Sequence, residues 1–143
     1  MNGSRSYIYI HAIWAVKEER PLLPGTVRRV LFAHLLKEAP SRGIQLMGIN
    51  GADNHVHCLF RVMPVQQVAG LIGQLKEMAS FWLNENKLLK ESVEWEEGYA
   101  AYSVSPNAVD KAADYISRQE QYHTGKTLAQ ELEAFDKMNE GTK

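Results

Sequence analysis

Cysteine is almost missing from this sequence: Cys58 is the single thiol among 143 residues. An intrachain disulfide is therefore excluded, and a reducing, cytoplasmic setting is expected. Cys58 falls on the apolar parity of its strand, so a buried, inert thiol is expected. Long apolar runs are also missing, and none has the length of a membrane span, so no membrane partner is expected. Ser4, Arg5 and Ser6 lead straight into a strand-like run, which does not have the form of a signal peptide. Neither charge sign dominates, and the formal net charge is −1. That balance argues against a protein that coats long stretches of nucleic acid. It leaves room for a small nucleic-acid site, because the charge is segregated. Lys17, Arg20, Arg28, Arg29, Lys37 and Arg42 fall in the first third, whereas Glu131, Glu133, Asp136 and Glu140 crowd the tail. Internal repeats and low-complexity segments are absent as well.

What is present is one domain, residues 1–143, with 45% hydrophobic residues and enough apolar content for a core. Tyr7 to Val16 is aromatic and β-branched, and is predicted as a strand ended by Pro21 and Pro24. Thr26 to Ala39 carries a helical apolar stripe of Val27, Val30, Leu31, Leu35 and Leu36. Ile44 to Ile49 is a second strand, Asn50 to Asn54 has turn chemistry, and His55 to Val62 is a third strand. Val65 to Leu83 is a second amphipathic helix. Asn84 to Tyr99 gives no clear pattern beyond a loop or ragged hairpin. Ala101 to Val104 is a short fourth strand. Ser105 caps a helix expected from Pro106 to about Gln121. Thr127 and Gln130 form a capping box for a last helix to Met138, with Glu140 to Lys143 frayed. The order βαββαβ with right-handed crossovers predicts an α+β fold: a ferredoxin-like, RRM-like four-stranded antiparallel sheet with added C-terminal helices. Strands one and three become central neighbours. The later helices must cover the other face of the sheet or a partner.

Two short runs carry chemistry. In Asn54-His55-Val56-His57-Cys58-Leu59-Phe60, strand alternation puts His55 and His57 on one face, and Val56, Cys58, Phe60 and Val62 on the other. Two imidazoles side by side can hold a divalent metal. In Tyr115-Ile116-Ser117-Arg118-Gln119, helical spacing makes Tyr115 and Gln119 neighbours. Tyr115 is a candidate nucleophile and Gln119 a candidate third ligand. Other residues have two readings each. His11 has the parity to approach the metal strand, or is a hydrogen-bonded core residue. Lys76, Arg118 and His123 are candidate DNA-binding residues through phosphate, or solvated side chains. Trp14, Trp82 and Trp95 stack on bases or belong to core and interface.

Taken together, these runs resemble the single-tyrosine HUH transposases of small insertion sequences, the TnpA type, and their REP-associated tyrosine transposase relatives. The resemblance begins at Tyr9-Ile10-His11-Ala12-Ile13-Trp14 with Lys17, Arg20, Pro21 and Leu22. It passes through the His55-Val56-His57 triplet, Leu75-Lys76, Trp95, Gly98-Tyr99 and Tyr102-Ser103-Val104-Ser105. It ends with Tyr115 through His123, and Glu131. Asn54 stands where the family often has Asp, and Tyr122-His123 where it often has a His-His pair. Asn54 keeps an amide with which to orient a ligand.

The resemblance implies a DNA transposase that cleaves and rejoins single-stranded DNA with hairpin ends through a 5′-phosphotyrosine on Tyr115. It implies Mg²⁺ or Mn²⁺ on His55, His57 and Gln119, although ligand softness alone also admits zinc. It implies a homodimer, in which the tyrosine helix of one subunit can serve the histidines of the other. The alternatives are a domesticated, monomeric REP-associated relative and a non-catalytic single-stranded nucleic-acid binder on the same sheet. Binders of that kind stack bases on aromatic pairs of the central strands, where this chain has histidines.

Overall fold

The computed structural model describes residues 1–140. Four strands form one antiparallel sheet: β1 (Tyr9–Ala15), β2 (Gln45–Ala52), β3 (His55–Arg61) and β4 (Ala100–Val104). Their order is β2-β3-β1-β4, so the first and third strands are the central pair, as the element order predicts. Helices α1 (Gly25–Glu38) and α2 (Val68–Glu85) supply the crossovers. They cover the face that carries Ala12, Trp14, Val56, Cys58 and Phe60, all essentially inaccessible, against Leu31, Leu35, Ile72 and Leu75. This is the main core, and Cys58 lies inside it.

The other face is covered by this chain's own last helices, α3 (Val109–Ser117), α4 (Gln119–Tyr122) and α5 (Leu128–Glu140). A small second core of Leu59, Val109 and Ile116 anchors α3 there. The single helix expected from Pro106 to Gln121 is in fact three pieces. A 3₁₀ turn spans Pro106–Ala108, and the chain leaves helical geometry at Arg118 (φ −105°, ψ 19°). The physical cause is local competition for carbonyls. Ser117 Oγ donates to the Asp114 carbonyl, and Asn50 Nδ2 donates to the Ser117 carbonyl, so the ladder is interrupted there.

The second strand runs further than its turn-like residues suggest, reaching Ala52 opposite His55. Only Asp53 and Asn54 make the turn. Gly51 permits it: a Cβ there would lie 2.2 Å from the His55 carbonyl oxygen. Met47 is the extra residue of a bulge between Leu46 and Gly48. The unpatterned stretch after α2 is fastened to that helix. Trp95 Nε1 donates to the Lys76 carbonyl at 2.8 Å, and Asn84 pairs with Val93 through its side chain. The capping box forms as expected, with Gln130 N donating to Thr127 Oγ1 and Thr127 N to Gln130 Oε1. Glu140 is still helical, and the expected fraying at 141–143 lies outside the described residues.

Candidate active site

His55 and His57 share the face under α3–α5, as strand parity requires, and both side chains are fully buried. That face is polar at these positions but closed over. Each imidazole is held from behind. Asn54 Oδ1 lies 2.7 Å from His55 Nδ1, and the Lys126 carbonyl lies 2.7 Å from His123 Nδ1. Both partners are oxygens that only accept, so each Nδ1 carries the proton and each Nε2 is turned inward. On β1, His11 sits diagonally from His57, because Ile13 is the residue directly opposite. His11 Nε2 approaches His57 Nδ1 to 2.7 Å.

The inward Nε2 atoms converge on α5. Glu131, fully buried, places Oε1 3.0 Å from His57, 2.9 Å from His123 and 3.6 Å from His55. Gln119 Oε1 lies 3.3 Å from His55 Nε2 and 3.1 Å from His123 Nε2, while its Nε2 donates to Glu131 Oε2 at 2.9 Å. Tyr115 donates its hydroxyl to the same Oε2.

Burial, aided by the charge of its neighbour His57, lowers the His11 imidazole to about 3. Burial, opposed by Glu131, lowers His57 to about 4. Burial works against the Glu131 carboxylate too, but the imidazoles of His55 and His57 and the hydroxyl of Tyr115 outweigh it and hold the group well below the usual carboxylate range. Burial and the Glu131 carboxylate push the Tyr115 phenol up.

A divalent cation fits this donor set. A buried carboxylate faces the Nε2 atoms of His55 and His123, whose outer nitrogens hold their protons, so acceptor atoms face one another at the centre. One ligand atom from each of His55, His57, His123 and Glu131 lies within 4.8 Å of all the others. Convergent acceptors around a buried negative charge are satisfied by a cation among them.

The sequence model of the family described as Transposase IS200 like matches residues 4–119, which run from the first strand through Gln119. The chain belongs to this family. ISDra2 transposase TnpA of Deinococcus radiodurans is 28% identical over 127 residues, covering 83% of this chain and 91% of that protein. A crystal structure assigned as a transposase of D. radiodurans R1 superposes with a TM-score of 0.65 at 22% identity, covering 83% of this chain and 95% of that one. A REP-associated tyrosine transposase bound to a REP hairpin superposes with a TM-score of 0.59 at 14% identity, covering 86% and 74%. These likenesses agree with the four-stranded α+β fold.

Among the residues singled out in this IS200-like transposase, His55, His57, Tyr115, Gln119, His123 and His11 are brought together. Lys76 is not, because it lies on α2 across the sheet and donates to the carbonyls of Glu96 and Glu97 at 2.6 and 3.3 Å. Arg118 stands at the helix break, exposed and paired with Asp114 at 3.2 Å. It lines a depression with Arg28 and Arg29. Trp14, within the main core, meets Trp95 edge to face, and Trp82 stacks on His34. No role is read for Glu131 from the sequence, where it stands among four acids of the tail. Its signal is positional. Leu128, Glu131 and Phe135 form the inward stripe of α5, and one of the three is an acid.

Proposed function

We propose that this transposase cleaves and rejoins single-stranded DNA by a metal-dependent transfer of the strand to Tyr115. The observation that carries the proposal is the single carboxylate, Glu131, on which the Tyr115 hydroxyl and the imidazole cluster meet. The phenol oxygen attacks phosphorus and the P–O bond to the 3′-oxygen breaks. A 5′-phosphotyrosine forms and the 3′-oxygen leaves as a hydroxyl, the proton given up by the phenol balancing the one it gains. Glu131 Oε2 already accepts the phenol hydrogen bond and so orients the attacking oxygen. Attack by another 3′-hydroxyl reverses the exchange, so no nucleotide cofactor is consumed. His55, His57, Gln119, His123 and Glu131 would hold the ion, Mg²⁺ or Mn²⁺ by the family resemblance. The ion supplies Lewis acidity and alignment for a phosphate oxygen. The inward Nε2 of His123 favours a ligand's role over a direct phosphate contact. Arg118, beside Arg28 and Arg29, is suited to the strand's phosphates; Lys76 would reach a phosphate only by leaving the Glu96 and Glu97 carbonyls.

The reading assigns hairpin-ended single-stranded DNA as partner, and the cytoplasm as the setting where DNA and a free buried thiol coexist. A homodimer would carry two sites, each complete within one chain. That completeness also suits the second reading, a monomeric REP-associated relative.

The test is incubation with single strands from both flanks of the protein's own gene, with Mg²⁺ or Mn²⁺, followed by a denaturing gel. A covalent protein–DNA band that is absent with EDTA and absent in Tyr115→Phe is expected. A band that persists in Tyr115→Phe removes Tyr115 from the mechanism.

A further inference from the structure

Beside the phenol lies a groove of about 510 Å³ that the chemistry above does not use. Tyr115 lines it, so the groove adjoins the residue that attacks the strand. Its walls are aromatic. Tyr102 of β4 and Phe135 of α5 stack with ring centroids 5.0 Å apart and planes 23° from parallel. Tyr115 meets Phe135 at 5.6 Å, close to edge-on. Asp136 Oδ1 accepts the Tyr102 hydroxyl at 2.8 Å, which fixes that ring in its orientation. Phe135 and Tyr102 are only half-buried, and Met138 at the rim is 66% exposed. Exposed Lys111 lines the same groove and supplies a cation.

We propose that this groove binds a nucleobase of the single-stranded substrate, adjoining the phosphodiester that Tyr115 attacks. The proposal rests on the strand-transfer reading of the site. The occupant follows from continuity and chemistry. A strand whose phosphate reaches the Tyr115 oxygen must lay an adjoining nucleotide along the ring that carries it. Every nucleobase offers a π-face, and pre-oriented aromatic rings take such faces without demanding a particular sequence. Lys111 at the rim then meets the backbone of the strand. The groove is therefore a positioning site, which sets the scissile phosphate in line with the phenol.

The experiment uses the full chain and a single strand copied from the flank of its own gene. 2-Aminopurine is placed at each position in turn. Fluorescence quenching at one or two consecutive positions next to the adduct position is expected. Phe135→Leu and Tyr102→Leu keep apolar volume but remove a stacking ring. Each is expected to restore fluorescence at those positions and to weaken strand binding by about tenfold, with unchanged far-UV circular dichroism. If quenching and affinity are unaffected in both variants, the groove is not a base site. Adduct formation by the wild type, measured in parallel, then leaves the strand-transfer reading standing. Quenching that depends on Phe135 without any adduct keeps the groove and removes the phosphotyrosine. Light scattering covers the rival occupant: a dimer abolished by Met138→Glu, with no change in quenching, gives the groove to a second copy of the chain and overturns the proposal.

Discussion

Glu131 Oε1 faces His57 Nε2 at 3.0 Å, and Glu131 Oε2 takes the hydroxyl hydrogen bond of Tyr115. One carboxylate thus joins the two halves of the site: the strand that supplies the histidine pair and the helix that supplies the phenol. Glu131→Gln keeps the shape and removes the charge. Mn²⁺ affinity by isothermal titration calorimetry is expected to fall by about tenfold or more. The rise in thermal midpoint that Mn²⁺ gives the wild type should shrink with it. Equal Mn²⁺ affinity in the two proteins removes Glu131 from the ligand set.

The contact between His11 and His57 gives a second expectation. His11 holds the back of a ligand, so its effect is on metal affinity before any DNA is added. His11→Ala is expected to weaken Mn²⁺ binding by about 10–100-fold. His11→Gln, which retains a donor and an acceptor near the same place, should recover part of that loss. Wild-type affinity in His11→Ala reduces His11 to a packing residue.

The docking of α3–α5 on their own sheet predicts the outcome of mixing. Tyr115→Phe and His57→Ala each damage a site that one chain completes alone. Combined in equal amounts, they are expected to form no more adduct than either variant by itself. Regained cleavage in the mixture shows instead that the tyrosine helix is exchanged between subunits in solution.

Cys58 is enclosed among Ala12, Val56 and the α1 and α2 side chains with no accessible surface, and burial pushes its thiol up. A chromogenic disulfide reagent at neutral pH should leave the native protein unlabelled. One thiol should react after unfolding in guanidinium. Fast stoichiometric labelling of the folded chain contradicts the core placement.

The sheet was legible because its information is local. Alternation in Asn54 to Phe60 places the histidines on one face and Cys58 on the other, and the element order yields the central pairing of β1 and β3. The Tyr115–Gln119 neighbourhood was legible from helical spacing and holds even though the chain leaves helical geometry at Arg118. That departure was hidden because it depends on Asn50, a residue far away in sequence that captures the Ser117 carbonyl. Glu131 was hidden for a related reason. Composition alone gives an acid in an acidic tail. The family resemblance includes Glu131 without a role, and the fold supplies one: its helix turns this acid under the sheet while Glu133 and Asp136 remain exposed.

Gly51 has no functional group, stands outside the cluster and touches nothing that reacts. Its missing side chain is what allows the hairpin to close directly onto His55. Any larger residue must push against backbone and so displace a ligand at its root. A survey of inactivating substitutions would rank position 51 with the histidines, and chemical intuition would then credit an inert residue with catalysis.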